Sequence, residues 1–84
     1  GPAAVKDLAY YNALGITCNA TEEEVRKAFK TLSRANHPDK GGDRASFAKI
    51  SEAYRVLSDP IERRKYDKFG LRAVTVPWLA FRQF

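Results

Sequence analysis

Between residues 36 and 43 the chain reads Asn36-His37-Pro38-Asp39-Lys40-Gly41-Gly42-Asp43, a short polar stretch between two segments whose apolar residues recur at helical spacing. It limits what the chain can fold into more than any other feature. Proline has no backbone donor and pushes the residue before it away from helical angles, so the upstream helix is expected to stop near His37. Gly41 and Gly42 admit backbone angles that other residues resist, which lets the chain reverse. A connection of about seven residues between two amphipathic helices favours an antiparallel hairpin, because short connections keep consecutive helices adjacent. The outcome is one imidazole and one carboxylate, His37 and Asp39, held at a helix end beside a helix that carries Arg26, Lys27, Lys30 and Arg34.

The flanking segments support an all-α reading. Thr21 and Glu24 form a capping-box pattern, with Glu22, Glu23 and Glu24 placed to meet the positive end of the helix dipole. Val25, Ala28, Phe29 and Leu32 then follow one helical stripe. Arg26, Lys30 and Arg34, spaced by four, share an exposed face that Lys27 flanks. Asp43 is a cap for a third helix over 44–57, whose expected core positions are Phe47, Ile50, Ala53, Tyr54 and Leu57. A shorter first helix spans Asp7 to Gly15, with Tyr10, Tyr11, Leu14 and Ile16 as apolar surface. Asp59-Pro60-Ile61-Glu62 supplies the cap, first-turn proline and third-position glutamate of a fourth helix ending near Gly70. Its Arg63, Arg64, Lys65 and Lys68 read as surface charge.

These segments together carry a resemblance. His37-Pro38-Asp39-Lys40, preceded by a basic helix and followed by the run from Phe47 to Pro60, resembles the J domain of DnaJ-type (heat shock protein 40) co-chaperones. Tyr10 to Ile16 is similar to that family's opening segment and Tyr66-Asp67-Lys68-Phe69-Gly70 to its closing one. The resemblance covers about Asp7 to Gly70 and implies a four-helix J domain, with helices II and III paired as an antiparallel hairpin around the His-Pro-Asp loop. It further implies a module that binds heat shock protein 70 and stimulates its ATP hydrolysis, coupling hydrolysis to capture of a client polypeptide, without chemistry of its own. Carried over by position, His37, Pro38 and Asp39 match the tripeptide, and Arg26, Lys27, Lys30 and Lys40 match basic docking positions, with Arg34 added from the shared face. The chain departs from the common pattern at Asn36, where an aromatic residue is usual, at Thr31 and Ala48, where basic residues are frequent, and at Phe29, where tyrosine is common.

Composition narrows the alternatives. Eighty-four residues suffice for one small domain, expected as a monomer. The net charge of +5 favours an acidic partner, whether a protein surface, nucleic acid or an anionic membrane, and permits a nucleic-acid-binding module using the second helix. Against nucleic acid, glutamates crowd that helix's start and no aromatic residue interleaves its basic face. A single cysteine, Cys18, excludes an internal disulfide and a thiol zinc cluster and favours a reducing compartment such as the cytosol or nucleus. One histidine makes a poor metal set, no cofactor motif is present, and a His–Asp pair on an exposed turn lacks the enclosure that tunes an acid and a base. No apolar run reaches the length of a membrane span. Residues 1–6 read as a protease scar, Gly1-Pro2, and an N-terminal extension. Residues 71–84, apolar and aromatic around Pro77 and free of acidic residues, read as a tail that packs back or links to a further region.

Overall fold

The computed structural model describes residues 7–70, and these are all-α. The order is α1 (Ala9–Leu14), α2 (Glu22–Ala35), a 3₁₀ turn (Pro38–Lys40), α3 (Arg44–Leu57) and α4 (Pro60–Phe69). The expected extension at 1–6 and tail at 71–84 lie outside the described residues.

Capping chemistry sets most boundaries. Thr21 Oγ1 accepts the Glu24 N–H at 3.1 Å and Glu24 Oε1 accepts the Thr21 N–H at 2.8 Å, so both arms of the capping box form. These bonds hold the Glu24 carboxyl below its usual range. Asp43 Oδ2 accepts from the Ser46 N–H and hydroxyl at the start of α3. Asp59 Oδ1 accepts from the Ile61 and Glu62 N–H groups ahead of α4. The third-position Glu62 does not complete a reciprocal box there; its Oε2 is buried with no hydrogen-bond partner among the described residues. α1 begins later than expected, at Ala9, whose N–H donates to Asp7 Oδ1 at 2.8 Å.

α2 also ends sooner than the proline alone requires. It stops at Ala35: the Asn36 N–H makes the last helical bond, to the Leu32 carbonyl, and the Asn36 Nδ2 adds a second donor to that same carbonyl, each at 2.9 Å. An asparagine whose amide also reaches a last-turn carbonyl suits the cap position, next to the extended residue a proline demands. His37 is that residue, at φ −63° and ψ 132°.

α3 is the central element, packing against α1, α2 and α4. Its buried arc is wider than the expected stripe, since neighbours flank it on more than one side. Ile50, Ala53 and Leu57 are buried as expected, Val56 joins them, and Phe47 and Tyr54 sit half-buried at the margins. α2 contributes Val25 fully, while Ala28, Phe29 and Leu32 pack at the edge of the core. Phe29 stacks on Tyr54 with ring centroids 4.1 Å apart. Glu22 and Glu23 at the start of α2 share a groove with Tyr54 and Ser58 at the end of α3, whereas His37 beyond α2 meets Phe47 early in α3. The two helices therefore run antiparallel.

α1 and α4 close the far side through aromatic rings with satisfied hydroxyls. Tyr10 stacks on Tyr66, centroids 4.6 Å apart, and the Tyr10 N–H donates to the Tyr66 hydroxyl oxygen at 3.0 Å. The Tyr10 hydroxyl donates to Glu52 and the Tyr66 hydroxyl to Asp7. Arg63 corrects the sequence reading, because it is not surface charge. Its Nη2 donates to the carbonyls of Ala20 at 2.7 Å and Cys18 at 3.3 Å, and its Nε donates to the Tyr11 hydroxyl at 3.1 Å. It ties the α1–α2 loop to α4. Its neighbours Arg64 and Lys65, and Lys68 beyond, are exposed.

Candidate partner-binding site

The turn after α2 is built from its own backbone. The His37 carbonyl accepts from Lys40 at 2.9 Å and from Gly42 at 3.1 Å, and the Pro38 carbonyl accepts from Gly41 at 3.1 Å. These bonds wind Pro38, Asp39 and Lys40 into one 3₁₀ turn, with proline at a position that has no donor to lose. The two glycines serve different needs. Gly41 takes the left-handed conformation, φ 83°. Gly42 does not; a Cβ there would lie 2.1 Å from the Asn36 carbonyl oxygen, so the closing chain passes against the end of α2 and only glycine fits.

On this frame Asp39 projects outward, with its side chain 90% exposed. His37 is about half covered. Its Nδ1 accepts the Asp39 N–H at 3.2 Å, and its ring meets Phe47 of α3 at 5.4 Å, nearly perpendicular. The residues thus form a convex, directional feature, with one free carboxylate beside one fixed imidazole. Phe47 is the neighbour that sequence reasoning assigned to the core instead. Its place four residues after the Asp43 cap, in the first turn of α3 and next to the loop, was the available signal.

Arg26, Lys27, Lys30 and Arg34 do come together. With Thr31 and Glu23 they line one shallow groove along α2. Glu23 Oε1 stands 3.6 Å from Arg26 Nη2 across solvent-exposed side chains, so part of the positive field is offset within the face itself. Lys27 also borders a second groove, against Ala13 and Leu14 of α1 and Ala28 and Leu32 of α2. Lys40 is exposed at the end of the 3₁₀ turn. Among the described residues no helix is long and apolar enough to cross a membrane.

The DnaJ domain family model matches residues 9–67, which includes every helix bar the end of α4, and both the turn and the basic face. The chain belongs to the DnaJ-domain family. The chain is 45% identical over 69 residues to DnaJ protein homolog 2 of Allium porrum, covering 82% of this chain and 16% of that protein. It is 51% identical over 65 residues to the chaperone protein DnaJ of Caldicellulosiruptor saccharolyticus, covering 73% of this chain and 17% of the relative. Among solved structures it is similar to form II of ERdj5, with a TM-score of 0.72 at 40% identity over 90% of this chain and 11% of that one. The J-Trx1 fragment of ERdj5 matches with a TM-score of 0.72 at 36% identity, covering 87% of this chain and 41% of the fragment. The chain thus spans about a sixth of the length of the curated relatives it matches.

Proposed function

We propose that this J domain binds a chaperone of the heat shock protein 70 family and stimulates its ATP hydrolysis, serving the parent protein's capture of a client polypeptide. The observation that carries this reading is the rigid His37-Pro38-Asp39 turn, with an exposed carboxylate, standing at the end of a basic helix in a DnaJ-family domain.

The two parts divide the work. Arg26, Lys27, Lys30, Arg34 and Lys40 steer an acidic partner surface over a range that salt shortens to about 8 Å at physiological strength. Asp39 then accepts from an arginine or backbone donor of the partner, with its geometry set in advance by the 3₁₀ turn. Stimulation follows when the docked surface favours the hydrolysis-competent conformation of the chaperone over its resting one, because equal affinity for both would shift nothing. The domain supplies recognition and no reacting group. Asn36, which replaces an aromatic residue of the common pattern, is occupied in closing α2. The Thr31 and Ala48 departures lie at exposed positions, where they alter charge and partner preference without touching the core. Glu23 within the basic groove speaks against a phosphate backbone as the ligand.

Single-turnover ATP hydrolysis by a panel of heat shock protein 70 chaperones, with and without the domain, tests the reading. Acceleration of at least one of them that His37→Gln abolishes is the expected result; equal acceleration by the variant would overturn the role given to the turn.

A further inference from the structure

One nitrogen of His37 has two competing partners. Nδ1 accepts the Asp39 N–H at 3.2 Å, which requires a bare lone pair, while the Asp39 carboxylate stands 3.6 Å from the same atom. The carboxylate can pair only with an Nδ1 that carries a proton. The first arrangement is the one that caps the 3₁₀ turn, since the His37 ring accepts the Asp39 N–H at its start. It places the imidazole proton on Nε2 and leaves the Asp39 carboxylate unclaimed. A second restraint on the ring is Phe47, held by α3 at a centroid separation of 5.4 Å and an interplanar angle of 74°. Edge-to-face contacts of this kind fix the relative orientation of two rings.

We infer that Phe47 is a positioning residue for the site: it holds His37 in the Nε2–H tautomer, so that the turn presents a partner with one donor, Nε2–H, and one acceptor, the Asp39 carboxylate, that do not neutralise each other. Without the aromatic contact the imidazole is free to rotate, the Asp39 N–H loses its acceptor, and Nδ1 can take the proton and turn to the carboxylate. The docking acceptor is then partly consumed within the turn. This deepens the co-chaperone reading and rests on it for its functional consequence, but the tautomer is a property of the chain alone.

Nitrogen-15 NMR of the full chain reads that tautomer directly, and His37 is the single histidine, so its two ring nitrogens are unambiguous. Wild type is expected to show a protonated-type Nε2 and an unprotonated-type Nδ1. Phe47→Leu is expected to average the two nitrogens and to lower ATPase stimulation roughly two- to tenfold, the scale of one aromatic pair. Phe47→Tyr, which keeps the ring, restores both readouts. His37→Asn is the second variant: its side-chain oxygen can accept the Asp39 N–H as an Asx turn, preserving the fold, but it offers nothing at the Nε2 position and is expected not to stimulate. An unchanged nitrogen spectrum in Phe47→Leu overturns the inference, and with lost stimulation it makes Phe47 a direct contact. Stimulation by His37→Asn equal to wild type overturns it as well. Failure of the wild-type chain to stimulate any chaperone would instead sink the co-chaperone reading and leave the spectrum to judge the tautomer.

Discussion

Arg63→Ala is expected to be among the most damaging single changes outside the apolar core, although the residue sits in a run of four charged positions on α4. The side chain makes three hydrogen bonds across the fold, to the Ala20 and Cys18 carbonyls and to the Tyr11 hydroxyl, and lies 5.5 Å from the Tyr11 ring centroid. Hydrogen bonds to a charged group contribute roughly 1.5–3 kcal/mol each, and bonds sharing one guanidinium do not add in full. Its Asp67 contact at 3.8 Å is longer and partly exposed, and such pairs contribute only about 0–1 kcal/mol. Truncation also strands the carbonyl of buried Ala20. A loss of about 3 kcal/mol follows, against a total of roughly 5–15 kcal/mol for a domain. Arg63→Lys restores less than half of it, since an ammonium cannot match the planar fork that reaches three acceptors. Arg64→Ala is the control and should stay within about 0.5 kcal/mol. Urea midpoints at unchanged slope, with hydrogen exchange in the 15–21 loop, measure the effect. Equal midpoints for Arg63→Ala and Arg64→Ala would refute the clamp.

Lys30→Glu combined with Arg34→Glu should slow association with the chaperone and leave the melting temperature nearly unchanged; stopped-flow rates across a salt series check this, and a rate indifferent to both changes would reduce the basic face to solvated surface. Leu57→Ala, at a fully buried position, should cost roughly 2–5 kcal/mol, with Phe29→Ala toward the lower end of that range because its ring is half-buried against Tyr54. Alkaline pH should also destabilise the fold. Burial, with Glu52 beside Tyr10 and Asp7 beside Tyr66, pushes both phenols up to about 12. A raised folded-state value means a contribution fully present below the unfolded value of about 10 and lost as pH rises through about 12. Melting followed through that window should fall, and less steeply in Tyr66→Phe; a flat profile would contradict the assignment.

The helix frame was legible because its signals are local. Thr21 with Glu24, Asp43, and Asp59 with Pro60 act within one turn of themselves, and each caps the helix expected of it. What escaped were features that depend on distant parts of the chain. Arg63 looks like Arg64 in sequence, and only the fold brings the Ala20 carbonyl, 43 positions away, within its reach. Val56 lay off the expected stripe until α3 proved to be flanked on several sides. In the sequence Gly42 looks like a conformational glycine, but its need is the close passage against Asn36. The tripeptide and the basic residues of the site could be listed from the sequence. The carboxylate left free beside a capped imidazole, and the Phe47 ring behind it, arise only in the folded chain.

The central claim is that the turn acts on a chaperone rather than merely connecting two helices. Its most direct measurement is single-turnover ATP hydrolysis by a heat shock protein 70 chaperone in the presence of wild-type, His37→Gln and Asp39→Asn chains of equal thermal stability. The account predicts acceleration by wild type alone. Acceleration by all three to the same extent, or by none at saturating concentration across the chaperone panel, would contradict it.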